Sequence, residues 1–297
     1  MPRPIILGVV GDSAAGKTTI TRGLMRALGE HTVTHTCTDD YHRYDRKQRA
    51  ELGITPLHPD CNHLDVMAQD LRHLRNGEPI LKPVYRHSDG TFGPAVRVDP
   101  KNFAIVEGLL GYHTAQMREC YDVRVFLAPP EDLRRRWKVQ RDCSRRGYTT
   151  DEVLAELDRR EPDSAAFIRP QERHADIVVS FLPRDGELFD AELVLRDGLA
   201  HPEFAGGITV NSNGSERRVL IPGDLDPERA AEIEEAIWDR LHFASHLRRH
   251  RLGEYTVGMD LYRSESLALV QLLILYHLVT GRAAVALGRE ELERVAS

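Results

Sequence analysis

The stretch Ile5-Ile6-Leu7-Gly8-Val9-Val10-Gly11-Asp12-Ser13-Ala14-Ala15-Gly16-Lys17-Thr18 decides the fold. Its first six residues, apolar or glycine, predict a strand buried on both faces. From Thr18 to Leu28, the apolar residues Ile20, Leu24 and Leu28 recur at helical spacing. Between strand and helix lies a match to G-x-x-x-x-G-K-[ST]. The glycines of that pattern let successive backbone N–H groups turn around phosphate oxygens, and the helix N-terminus adds its dipole. A lysine at this position neutralises the β- and γ-phosphates, and the following hydroxyl is a Mg²⁺ ligand. The expected cofactors are therefore a nucleoside triphosphate and Mg²⁺. The expected nucleotide contacts are Gly11, Asp12, Ser13, Ala14, Ala15, Gly16, Lys17, Thr18 and Thr19, with Lys17 also catalytic.

Working outward, Val33 to Thr38, Phe103 to Val106, Val123 to Leu127 and Ile177 to Phe181 read as further strands. Leu64 to Leu74, Pro130 to Arg145 and Thr150 to Arg160 read as helices; Asp151 and Glu152 suit the N-terminal dipole of the last. Strands alternating with helices imply an α/β fold with a doubly wound, mainly parallel sheet of the P-loop NTPase type. After about residue 184 the texture changes. Residues 193–195, 208–210 and 219–221 look like short antiparallel strands, with turns at Gly206-Gly207 and Asn211 to Gly214. Asp226-Pro227 caps a helix expected to reach Leu241, and an apolar helix runs from Ser264 to Val279. The expected organisation is a P-loop kinase domain over 1–183 and a smaller C-terminal α+β extension over 184–297.

The 297 residues carry a formal net charge of −6, which argues against a nucleic-acid coat. An anionic substrate would need a local basic cluster. Cys37, Cys61, Cys120 and Cys143 form no C-x-x-C pair, so neither a zinc site nor a disulfide framework is expected. The runs Ile5 to Val10 and Leu267 to Leu278 are too short to span a bilayer. The expectation is a cytoplasmic protein with no nucleic-acid or membrane partner.

A switch GTPase would carry N-K-x-D, which this chain lacks. A motor ATPase usually ends the strand corresponding to Phe103–Val106 in Asp-Glu. Here the sequence is Ile105-Val106-Glu107-Gly108, so Glu107 joins Thr18 as a candidate metal ligand. The second strand runs into Asp39-Asp40-Tyr41-His42-Arg43-Tyr44-Asp45-Arg46. In a doubly wound sheet, ligands bind at the carboxyl ends of strands. Asp39 is the candidate base for an attacking hydroxyl, with Asp40 the fallback. His42 and Arg46 could hold an anionic acceptor.

This last stretch resembles the D-D-Y-H-x-x-D-R signature of the phosphoribulokinase family, within the wider phosphoribulokinase and uridine kinase group of P-loop kinases. The resemblance continues through Gly53 to Leu57, Asn62 to Met67, Lys82-Pro83-Val84-Tyr85-Arg86-His87, Val106 to Leu109, Trp137 to Asp142, Arg145 to Tyr148, Pro170-Gln171 and His174 to Val178. It spans about residues 5 to 181 in order. It implies transfer of a phosphoryl group from ATP to D-ribulose 5-phosphate, giving D-ribulose 1,5-bisphosphate, as in the Calvin cycle. Asp39 would be the catalytic base and Glu107 the metal-site carboxylate. His42, Arg46, Tyr85, His87, Lys138 and Arg141 would contact acceptor or phosphate, and Arg146 would lie in a basic lid. Arg134, Arg135, Arg136, Lys138, Arg141, Arg145 and Arg146 put seven cations in thirteen residues, a cluster suited to two anionic substrates. Alternatives are another sugar-phosphate kinase, a uridine or cytidine kinase, and a silent nucleotide-binding regulator.

Some family members are switched off by a disulfide joining a P-loop cysteine to one just before D-D-Y-H. Cys37 matches the second position, but Ala15 stands at the first, so that switch is not expected here. The resemblance also suggests a homodimer paired through added strands at a sheet edge.

Overall fold

Alternation along the first strand sets the layers. β1 (Ile5–Gly11) turns Ile5, Leu7 and Val9 into one apolar core and Ile6 and Val10 into another, with no position exposed. The computed structural model describes residues 2–184, 188–203, 208–249, 252–257 and 260–288, without the side chains of residues 145, 146, 249 and 257. In chain order the elements are β1, α1 (Lys17–Leu28), β2 (Val33–Cys37), α2 (Arg46–Leu52), α3 (Leu64–Arg75), β3 (Ile80–Arg86), β4 (Thr91–Val98), β5 (Phe103–Gly108), α4 (Ala115–Arg118), β6 (Val123–Leu127), α5 (Glu131–Arg146), α6 (Thr150–Asp163), β7 (Ile177–Pro183), β8 (Phe189–Arg196), β9 (Thr209–Asn213), β10 (Glu216–Ile221), α7 (Pro227–Trp238), β11 (Glu254–Val257), β12 (Asp260–Arg263) and α8 (Glu265–Leu287).

The central sheet has eight strands in the order β2-β5-β1-β6-β7-β8-β10-β9. The first five are parallel; β8, β10 and β9 continue the same sheet antiparallel. One face is covered by α1, α7 and α8, and the other by α3 with Tyr112 and Tyr121. Gly8 is needed on this second face: a Cβ there would stand 2.6 Å from Tyr112 Cε1, and the Tyr112 hydroxyl donates to the Gly8 carbonyl at 2.6 Å.

Three differences from the sequence reading have local causes. The hairpin β3–β4 was not foreseen. β3 contains Pro83, which sits at a register shift between Lys82 and Val84, and most of β4 is exposed, so neither shows a clear alternation. Asn211 to Asn213 lie within β9 rather than in a turn, and the reversal falls at Gly214, whose φ is 62°. The expected turn at Gly206-Gly207 lies outside the described residues. Finally, α8 has 23 residues and is apolar enough by length and composition to cross a bilayer, longer than the 264–279 expected. Residues 266–275 and 277–279 are nonetheless buried within the protein, against α1, α7, β1 and β8, as in a core helix.

Candidate active site

Three chain segments meet at the carboxyl edge of the parallel strands because β5 lies between β2 and β1. β1 delivers the phosphate loop, β5 ends in Glu107-Gly108, and β2 ends at Cys37, two residues before Asp39. Cys37 and Val9 both lie in register with Glu107. Close approach is allowed by Gly108, where a Cβ would come within 1.7 Å of Thr38 Oγ1.

The loop is held from both sides. Ala14 adopts φ 65° and Gly16 φ 96°, left-handed conformations that turn the chain into the helix. Asp12 anchors it: Oδ1 accepts from Ser13 N at 2.7 Å, and Oδ2 accepts from the Ser164 hydroxyl. Arg134, buried, donates to the Ser13 carbonyl at 3.1 Å and lies 3.4 Å from Asp12 Oδ1. Lys17 Nζ donates to the Gly11 and Asp12 carbonyls, each at 2.8 Å. Burial lowers the Lys17 pKa, while Asp39, Glu107 and Asp12 pull the other way. Thr18 is exposed at the rim.

Glu107 accepts from the Thr21 hydroxyl at 3.0 Å and lies 3.3 Å from His35 Nε2. Burial would raise its pKa, but His35, Lys17 and Thr21 outweigh that and leave it below the ordinary value. A buried carboxylate kept charged is a hard oxygen donor of the kind Mg²⁺ prefers.

Asp39 is treated in the same way. Burial would raise its pKa, yet His42, His87, Lys17 and Arg160 together hold it below the ordinary value. Burial also lowers the pKa of His42, so the hold on Asp39 rests less on that ring and more on Lys17 and Arg160. Asp40, the fallback base, is occupied: it pairs with buried Lys82 and accepts from Tyr85 N at 2.9 Å. The two adjacent acids are thus divided, Asp40 pinning the hairpin and Asp39 facing the loop's lysine.

The hairpin gathers the other expected acceptor contacts. Its buried Tyr85 packs edge-on to His42, His87 and Phe92, and the Tyr85 hydroxyl accepts from Arg49 at 2.6 Å. His42 Nδ1 is 2.8 Å from Asn62 Oδ1, which orients the ring. Arg46 donates to the His87 carbonyl at 2.6 Å. His87 Nε2 stands 3.7 Å from Asp39 Oδ2. These residues come together. On α5, Arg141 reaches Ser13 Oγ at 3.5 Å. Lys138 is instead buried in an ion pair with Asp142 at 2.6 Å, so it braces the helix in this conformation rather than lining the gap. Burial would raise the Asp142 pKa, but Arg141 and Lys138 bring it down to about 2. The side chain of Arg146 lies outside the described residues.

Sequence reasoning missed Arg160 and Ser164. Both follow from an irregularity in the chain. Pro162 sits inside α6, which gives way to a π turn over Ser164–Ile168. That turn brings Ser164 to Asp12, and Asp163 to the Thr55 hydroxyl at 2.6 Å. Arg160 lies one turn earlier, with a buried Nε that has no hydrogen-bond partner among the described residues. Arg160, Ser13, Arg134 and Ser164 share one small cavity beside the loop. In sequence Arg160 looks like any solvated helix charge; a proline two residues later was the one available signal.

The model of the phosphoribulokinase / uridine kinase family matches residues 6–186. The chain is 37% identical over 205 residues to a phosphoribulokinase of Synechocystis sp., covering 67% of this chain and 62% of that protein. It is 32% identical over 221 residues to a chloroplastic phosphoribulokinase of Triticum aestivum, covering 66% and 55%. It thus spans about three fifths of these relatives' length. A solved phosphoribulokinase from Rhodobacter spheroides superposes with a TM-score of 0.60 at 20% identity, over 82% of this chain and 99% of that one, which shows a shared fold. The chain belongs to the phosphoribulokinase / uridine kinase family.

Proposed function

We propose that this protein is a kinase that transfers the γ-phosphoryl group of ATP to the C1 hydroxyl of D-ribulose 5-phosphate, giving ADP and D-ribulose 1,5-bisphosphate. The observation that carries this reading is the setting of Asp39. It is a charged carboxylate under the influence of Lys17 from the phosphate loop on one side and of His42 and His87 from the acceptor side on the other. A base that orients an alcohol against a terminal phosphate needs this neighbourhood. Arg46 and Arg49 supply positive charge beside these rings that a phosphorylated acceptor uses and a nucleoside does not. The curated relatives named phosphoribulokinase support the same choice.

In the reaction, Asp39 orients the hydroxyl and accepts its proton as the oxygen attacks phosphorus in line. Lys17 leaves the Gly11 and Asp12 carbonyls to meet the phosphates. Arg141, anchored at Ser13, and Arg134 beneath it keep positive charge beside the loop. Thr18 and Glu107 would hold Mg²⁺, which neutralises charge on the transferring group when bound. Closure of the basic α5–α6 segment would keep water from taking the phosphoryl group. A cytoplasmic setting, a carbon-fixing pathway and a homodimer are part of the same proposal.

The test is ADP release with MgATP and a panel of ribulose 5-phosphate, ribose 5-phosphate, uridine and cytidine. Ribulose 5-phosphate should stimulate release far above the others. Stimulation by uridine or cytidine alone would overturn the reading.

A further inference from the structure

Cys37, the last residue of β2, Asp39 two residues on, and His87 in the turn after β3 bring a sulfur, an oxygen and a nitrogen donor to within 4.8 Å of one another. The donors come from two separate pieces of chain, the sheet edge and the hairpin. Four ligands placed 2.0–2.3 Å from a tetrahedral zinc stand about 3.3–3.8 Å apart. The His87 Nε2 to Asp39 Oδ2 separation of 3.7 Å already has that value. Of the two side chains that would close the remaining distances, His87 is half-exposed and Cys37 is a free thiol in no disulfide.

From this geometry we propose that Cys37, Asp39 and His87 form a binding site for a borderline-soft divalent cation, Zn²⁺ by its chemistry, and that the ion blocks the acceptor side of the enzyme.

A thiolate, an imidazole and a carboxylate leave one tetrahedral position for water. Binding exchanges the Cys37 S–H bond for a sulfur–metal bond; the proton goes to solvent and no redox change occurs. The site differs from the Mg²⁺ site in softness. Mg²⁺ takes oxygen ligands and has little use for sulfur, so a large excess of it should not displace the ion. Burial, with Asp39, Glu107 and Asp40 close by, holds the Cys37 thiol well above its ordinary pKa, a cost that the sulfur–metal bond must offset, while Lys17 and Arg160 keep Asp39 charged. The blocking half of the proposal rests on Asp39 being the base of the proposed reaction, because a metal-bound carboxylate cannot take the proton.

The experiment is a Co²⁺ titration of the full chain without nucleotide or acceptor, with Zn²⁺ competition. The expected result is a thiolate-to-cobalt charge-transfer band in the near ultraviolet, with the intense visible bands of a four-coordinate ion at one equivalent. Cys37→Ser should abolish the charge-transfer band. His87→Gln should weaken Zn²⁺ affinity at least about tenfold, with circular dichroism reporting that both variants are folded. No charge-transfer band, or equal Zn²⁺ affinity in wild type and Cys37→Ser, would overturn the site. Inhibition by Zn²⁺ should compete with the acceptor and not with MgATP. If the cobalt spectrum appears as expected but Zn²⁺ does not inhibit, the metal site stands and the assignment of Asp39 as base falls.

Discussion

The two halves of the central sheet use the same backbone for different work. In the parallel half, β1 and β5 are buried at every position. Their carboxyl ends, with that of β2, deliver the phosphate loop, Glu107 and Asp39 to one edge. In the antiparallel half, β8 alternates between buried and half-buried residues and β9 is exposed throughout. Parallel strands all point their carboxyl ends one way, so several loops converge there. Antiparallel strands alternate direction and gather no such edge. What the second half contributes is support from behind, through α8. Buried Gln271 donates to the Thr19 carbonyl at 3.1 Å and accepts from Gly253 N at 2.8 Å, tying the first turn after the phosphate loop to the C-terminal chain. Gly23 on α1 makes this possible, since a Cβ there would come within 2.2 Å of Gln271 Nε2.

This division of labour can be broken by separating chemistry from stability. Asp39→Asn should lower turnover by roughly 10³-fold, the scale of a lost general base, while ATP affinity and the melting temperature stay close to wild type. Near-normal turnover would move the chemistry off the parallel edge. Gln271→Leu should do the reverse. It leaves the buried Gly253 N–H unpaired, at a cost of about 1–3 kcal/mol in denaturant unfolding, with turnover changed only a few-fold. A loss of turnover as large as that of Asp39→Asn would show that α8 takes part in catalysis rather than bracing.

The smallest effect sharpens the comparison. His201 Nε2 is 3.0 Å from the Arg196 carbonyl, so it carries the proton there; its Nδ1 must then accept from His277 Nε2 at 2.9 Å. Burial and the neighbouring His201 lower the His277 pKa to about 3. Because the unfolded ring titrates near 6.5, the neutral pair contributes its full stability above that pH. The contribution is lost as pH falls toward the folded value. Between pH 7 and 5 the protein should lose on the order of 2 kcal/mol from this pair, and His277→Gln should flatten that slope. An unchanged slope would remove the pair from the acid response.

Legibility followed physical locality. Gly11 to Thr18 could be read because loop, helix start and phosphate contacts are all adjacent in the chain. The strands Val33–Cys37 and Val123–Leu127 stood out as short apolar or β-branched runs. The hairpin did not, since Pro83 and an exposed β4 give no period. Arg160 was hidden because its burial beside the loop depends on a π turn that carries its neighbours under it. Lys138 and Arg141, three residues apart on α5, looked alike in sequence; packing buried one against Asp142 and left the other reaching Ser13.

The sequence by itself determined the layer pattern, the phosphate loop and the run containing the candidate base, since each depends on neighbouring residues and backbone sterics. Only the tertiary structure decided which of two adjacent aspartates stays available. Lys82 and Tyr85, more than forty residues away, claim Asp40 and leave Asp39 to Lys17 and Arg160. The physical reason is that a carboxylate's role is set by the charges and donors that share its space, and those are brought by distant parts of the chain.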